Sequence, residues 1–237
     1  MRTANEYEIA IFKKEYCKNG EARISIGKDF EVDVESFEEL LPGKIVSSYA
    51  TGNRDIENSF IMFRVCDVIK DIQYFPVFSE TVGRKMLKSW NKPVPKKRSI
   101  FIEDNNGVGG GNGGTGNGNK NNVENFKLRS LILFARSLMI LHINDPQPMN
   151  GMLKELYEKL ELHPYWNVRN YEVKAVNTAI GSFLRKDINV QNENLQNLQD
   201  YILYLQTNVT GRRLRNTNFD TLRNIMRTEY PADQVYF

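Results

Sequence analysis

The sequence predicts an α+β fold: a β-rich N-terminal region with short helices, a Gly/Asn-rich linker, and an all-helical C-terminal bundle of about five helices. Three observations predict it. Apolar residues alternate with polar ones through much of the first hundred positions, the period of half-buried strands. Between 105 and 122, 15 of 18 residues are Gly or Asn. From residue 128 onward the apolar positions recur at helical spacing instead. The expected organisation is a β-rich domain over 1–104, a flexible linker or exposed loop over 105–122, and a helical bundle domain over 123–237.

In chain order, Tyr7, Ile9 and Ile11 alternate with Glu8 and Ala10 and predict a first strand. Ile24 and Ile26, the turn residues Gly27-Lys28-Asp29, and the alternation of Phe30, Val32 and Val34 with Glu31, Asp33 and Glu35 predict a hairpin over 22–35. Ser36 with Glu39 three residues later has the form of a capping box, which predicts a short helix to Leu41 before Pro42-Gly43. Residues 60–65 and 72–78 are rich in β-branched and aromatic residues and predict strands. Ser79 then opens a helix through Trp90 that Pro93 and Pro95 end, and residues 99–102 are expected to close the sheet.

The linker has almost no apolar side chain to offset the entropy of ordering it, and a Gly-rich coil of its length spans roughly 25 Å. Beyond it, residues 128–143 are apolar nearly all round, as a central helix requires. Leu153, Leu156, Tyr157 and Leu160 mark the next helix; Tyr171, Ala175, Ala179 and Phe183, with Val176, Ile180 and Leu184 beside them, mark a third. Leu195, Leu198, Ile202 and Leu205 mark a fourth, ending near Gly211. Phe219, Leu222 and Met226 mark the last, opened by Thr217 and closed before Pro231.

A hydrophobic fraction of 41% and a charged fraction of 26% argue against global disorder. The net charge of +3 hides a near balance in both halves, so affinity for a polyanion must come from local patches. Two cysteines, Cys17 and Cys66, and a start that mixes Glu6, Glu8 and Lys13 into its apolar residues predict a reducing intracellular setting, cytoplasmic or nuclear. In that setting the sequon at Asn208 carries little weight. Arg129, Arg136 and His142 interrupt the most apolar stretch, which is short for a bilayer, so no membrane association is expected.

The motifs of catalysis and cofactor binding are missing. Residues 109–114 satisfy G-x-G-x-x-G formally, but Gly and Asn continue to Asn122 where a dinucleotide site needs a turn directly into a helix. There is no P-loop and no G-x-S-x-G. His142 and His163 are the only histidines and read as a packing or capping residue and a turn residue; with two separated cysteines they do not make a metal site. The acid pairs Glu38/Glu39 and Asp67/Asp71 read more simply as surface charge than as acid–base machinery. No catalytic residue, metal or cofactor is expected.

Two basic clusters remain. Between Glu80 and Glu103 stand Arg84, Lys85, Lys88, Lys92, Lys96, Lys97 and Arg98 without an acid, and Trp90 lies among them. Phosphate-neutralising cations beside a stacking ring are what single-strand binders use. A solvated connector, or a localisation signal with Trp90 in the core, would produce the same run. The second cluster is Arg212, Arg213 and Arg215, followed by Arg223 and Arg227 one turn apart, with Asp220 the one acid among them. Arginine forks suit phosphate oxygens, and structural salt bridges explain the cluster equally well. Tyr230, Tyr236 and Phe237 crowd the end of the sequence, where they either dock on a neighbouring subunit or fold back on the same bundle.

The resulting expectation is a non-enzymatic protein that binds single-stranded RNA or DNA and self-associates through its helical half and C-terminal tail. The alternatives are a protein–protein adaptor without nucleic acid, and an enzyme whose site is assembled from scattered residues.

Overall fold

A computed structural model describes residues 1–50, 52, 55–101, 120–142, 151–163, 166–186, 195–208, 214 and 218–237, with backbone alone at 120–124, 126, 127, 140–142 and 186. The chain is α+β, with strands confined among the described residues to the N-terminal region and helices following. It divides into two compact units. The first includes residues 1–99, the second residues 100–140 and 149–237.

The first unit contains β1 (Arg2–Thr3), α1 (Glu6–Tyr16), α2 (Gly20–Asp29), β2 (Glu31–Glu39), β3 (Val46–Ser47), β4 (Asp55–Ile56), β5 (Ser59–Asp67), β6 (Ile72–Tyr74), β7 (Val77–Ser79) and α3 (Glu80–Ser89). The main sheet runs β1-β6-β5-β2, and β3 and β4 form a separate ladder. Central β5 reads as an almost unbroken apolar run because both its faces are covered, and Phe60, Ile61, Met62, Phe63 and Val65 are all fully buried. β6 pairs with the second half of β5 and β7 with the first, Pro76 marking the break between them. β1 closes the far edge by pairing parallel to β6.

Three expectations for this unit are overturned, two because capping hydrogen bonds outweigh the apolar alternation and one because a sheet ladder outweighs a capping signal. The predicted first strand is α1. Asn5 accepts the Glu8 amide at 3.0 Å while the Glu8 carboxylate accepts the Asn5 amide at 2.8 Å, a reciprocal capping box. Within that helix Phe12 is the buried residue, whereas Tyr7 is 75% exposed. The predicted hairpin over 22–35 is α2 followed by β2. Asn19 caps α2 through the Ala22 amide at 2.8 Å, and Gly27 is a helical residue rather than a turn.

The predicted helix from Ser36 is the second half of β2. A bulge between Val34 and Ser36 shifts the register, after which Ser36, Phe37, Glu38 and Glu39 pair in succession with Met62, Ile61, Phe60 and Ser59. Eight ladder pairs with β5 outweigh one local capping signal. Residues 99–102 also fail to add a strand: Arg98 makes a single parallel bridge to Glu38, and Phe101 a single antiparallel bridge to Leu214 within the second unit. Residues 102–119 lie outside the described residues, including 105–119 of the expected linker, whose positions 120–122 instead begin a helix.

The second unit contains α4 (Lys120–His142), α5 (Gly151–Leu162), α6 (Asn170–Lys186), α7 (Leu198–Asn208) and α8 (Asp220–Glu229). These five match the apolar stripes of the sequence. From Leu131 to Met139 α4 is buried at every position except Leu133, which is half-buried. Its polar side chains hold the neighbouring chain. Arg129 donates to the carbonyls of Leu160 and, at 2.6 Å, His163, satisfying the C-terminal end of α5. Asn125 donates to the Trp166 carbonyl at 2.7 Å and accepts the Val168 amide at 2.9 Å. Arg136 pairs with Glu161 at 2.7 Å.

Asn197, just before α7, accepts the Asp200 amide at 2.9 Å. α8 starts after Phe219 rather than at Thr217, which lies outside the described residues. The terminal aromatics of this chain lie against its own second unit. Phe237 is buried and stacks on Phe219 with centroids 6.1 Å apart.

Candidate nucleic-acid interface

The first basic cluster is organised by α3. Gly83, Met86 and Leu87 form its buried face, and Gly83 lies so close to β5 that a Cβ there would sit 2.9 Å from the Ile61 side chain. The opposite face carries Arg84, Lys85 and Lys88, all exposed. The helix ends in a Schellman motif: Asn91 adopts φ 54°, its amide donates to the Lys88 carbonyl at 3.2 Å, and the Lys92 amide donates to the Leu87 carbonyl at 2.9 Å. That reversal carries Lys92 back to β2, where its ammonium donates to the Val32 carbonyl and lies 3.9 Å from Asp33.

Glu80 is the acid that organises the face. It accepts from Ser59 at 2.5 Å, Arg84 at 2.8 Å and Lys97 at 3.2 Å. Partial burial opposes its ionisation, but these three donors outweigh that and hold its carboxyl below the ordinary range. Arg84 and Lys97 also lie over the ring of Phe37, at 5.2 and 5.9 Å from its centroid. Two cations therefore share one carboxylate and one ring. Arg98 is separately committed to fully buried Glu38 at 3.0 Å.

Lys85, Lys88 and Lys96 are exposed and have no acid partner among the described residues. Trp90 is engaged differently from an open stacking platform. Its Nε1–H donates to the Ile24 carbonyl at 2.8 Å, its ring meets Phe63 edge-on with centroids 5.4 Å apart, and it covers Gly27 so closely that a Cβ would fall 2.4 Å from Nε1. The indole fastens α3 to α2.

The second cluster is only partly described. Arg223 pairs with Asp220 at 2.8 Å and donates to the Phe237 carbonyl at 2.9 Å, while Arg227 is exposed. Arg212, Arg213 and Arg215 lie outside the described residues.

Other candidate chemistry is sparse. Glu38 and Glu39 occupy successive positions of a strand and point to opposite faces, and Asp67 accepts the Lys70 amide at 3.1 Å in the β5–β6 turn. Burial pushes the Cys17 thiol up to about 12. Among the described residues no group of three His, Cys, Asp or Glu is placed to hold a metal ion, and no helix is long and apolar enough to cross a membrane. The glycines at 109–114 and the His142 side chain lie outside the described residues.

Sequence reasoning missed Glu80 as the shared partner, because it bounded the basic run instead of lying within it. It also missed Asn177 and Gly181 of α6, which hold the last residues of the sequence. Comparison of the chain with protein-family models, curated proteins and solved structures finds no match.

Proposed function

We propose that this chain is a non-catalytic protein that binds single-stranded RNA or DNA through the exposed face of α3 and the segment after it, and that it assembles with further copies of itself. The observation that supports this most is the set Lys85, Lys88 and Lys96, exposed and without acid partners among the described residues, beside Arg84 and Lys97 on a single carboxylate. Trp90 serves as the anchor that sets the helix, so the binding is electrostatic and tolerant of sequence.

Counting the three lysines and one excess charge from the Glu80 group gives about four neutralised phosphates. With a slope near −0.7 per phosphate for single strands, affinity falls about fifty-fold between 50 and 200 mM salt. Fluorescence anisotropy with a labelled oligonucleotide measures this directly. Replacing Lys85, Lys88 and Lys96 together with Ala should reduce the slope of log K against log salt by about 2. An unchanged slope and affinity in that variant would refute the reading.

One observation favours the adaptor reading instead. At the β5–β6 turn Ile69 is 98% exposed and Val68 59% exposed, an apolar tip that suits a pocket on a protein partner.

A further inference from the structure

The last five residues of the sequence lie across the second unit as a bound peptide lies on a receptor. Buried Asn177 of α6 donates to the Gln234 carbonyl at 2.8 Å and accepts the Tyr236 amide at 2.7 Å, spanning the backbone of both residues. The Tyr236 carbonyl accepts the Leu198 amide at 2.7 Å, satisfying a donor at the start of α7. The Tyr236 ring occupies a slot that exists because residue 181 is Gly; a Cβ there would fall 2.3 Å from Cε2. Arg185 donates to the Tyr236 hydroxyl at 2.6 Å, and Lys174 pairs with Asp233 at 2.8 Å. Phe237 fills the end of the groove on Phe219.

We propose that this groove is the self-association site, and that it accepts residues 233–237 of a second copy in place of its own. The inference rests on the assembly part of the function proposed above and is independent of nucleic acid. Three features support it. Only residues 230–232 join the segment to α8, so withdrawing it breaks no helix. The contacts above run between segment and groove, so a second copy reproduces every one of them. An empty groove would leave the Asn177 amide and Phe219 without the groups that cover them, so it is filled in either arrangement and concentration decides between them.

A short tether gives its own segment an effective concentration on the order of 1 mM, so exchange is favoured where copies are crowded together. Removing the competition exposes it at lower concentration. One variant, Tyr236→Ala with Phe237→Ala, keeps the groove and loses the segment; the other, Asn177→Ala with Gly181→Leu, keeps the segment and blocks the groove. Mixed without nucleic acid, and with circular dichroism confirming that both are folded, they should form a heterodimer of twice the mass of either alone. A mixture that stays monomeric overturns the proposal.

If either variant fails to fold, the unaltered chain decides. Heavy- and light-isotope copies are incubated together at about 1 mM and treated with a carbodiimide, which joins Lys174 to Asp233 directly. Cross-links pairing heavy Lys174 with light Asp233 are expected, and cross-links confined to a single isotope overturn the proposal. Neither experiment involves nucleic acid, so the salt-dependent binding of the α3 face stands or falls separately.

Discussion

Replacing Gly27 with Ala should destabilise the first unit, although Ala is the better helix former. A helix interior gains about 1 kcal/mol from this change. The new Cβ, however, would lie 2.4 to 2.7 Å from three atoms of the Trp90 indole, which has to leave its seat. Leaving it forfeits the hydrogen bond to the Ile24 carbonyl, about 1 kcal/mol, and the edge-on contact with Phe63, about 1 kcal/mol. Repacking around a displaced ring adds about 1–3 kcal/mol. The net loss is about 3 kcal/mol.

Cys17 supplies the assay, because it is fully buried in the core against which Trp90 packs. Its labelling rate under native conditions follows the opening of this unit, with peptide mass separating it from Cys66. The loss expected for Gly27→Ala corresponds to labelling about 140-fold faster. In a Trp90→Ala background the clash is gone and only the helix preference remains, so the same change should slow labelling about five-fold. A Gly27→Ala effect of the same sign and size in both backgrounds would refute the packing argument.

Four further expectations follow from the geometry. The Arg2 hydrogen bond and the Asn5 amide hold the Glu8 carboxyl at about 2, well below its ordinary 4.5. Its contribution to the α1 cap is therefore full above pH 4.5 and lost as pH falls towards 2, and Arg2→Gln should move the carbon-detected NMR midpoint of Glu8 upward. Cys66 should react with iodoacetamide at pH 8 well before Cys17, whose thiol burial pushes up to about 12; equal rates would contradict the burial described. Arg129→Leu should cost about 2–3 kcal/mol in urea unfolding of the second unit, since it strips charged donors from the α5 carbonyls. Gly83→Val should expel α3 from β5, with far-UV circular dichroism showing the lost helix and a lower melting temperature.

The helical half was legible because its periodicity runs long. Each of α4 to α8 repeats its apolar positions over two or more turns, and no strand explains Leu153, Leu156, Tyr157 and Leu160 together. The strands around β5 were legible for a similar reason, β5 being rich in β-branched and aromatic residues from Phe60 to Val65. The first forty residues misled because their alternations are only three apolar residues long. Tyr7, Ile9 and Ile11 fit a strand on paper, but Tyr7 and Ile11 are exposed on α1, and the caps at Asn5 and Asn19 carry the decisive information.

Gly27 was legible as a permissive residue but not as a packing slot, since its partner stands 63 positions away. Ser36 and Glu39 show the reverse: a correct local signature annulled by pairing with a distant strand. The basic face of α3 was visible as a run of cations. Which of them Glu80, Asp33 and Glu38 occupy is a three-dimensional fact.

The pairing of β1 with β6 has a consequence for synthesis. Arg2 and Thr3, made before the rest of this unit, lie beside Ile72 and Gln73, and α2 waits for Trp90 to cover Gly27. A ribosome cannot let this sheet close until β6, the fourth of its strands in chain order, has emerged, nor let α2 be fastened until α3 has followed. Until β6 has emerged, Val65, Cys66 and Asp67 of β5 lack the strand that pairs with them on that edge. During that interval the nascent chain is most exposed to chaperones and to mispairing with its neighbours on a polysome.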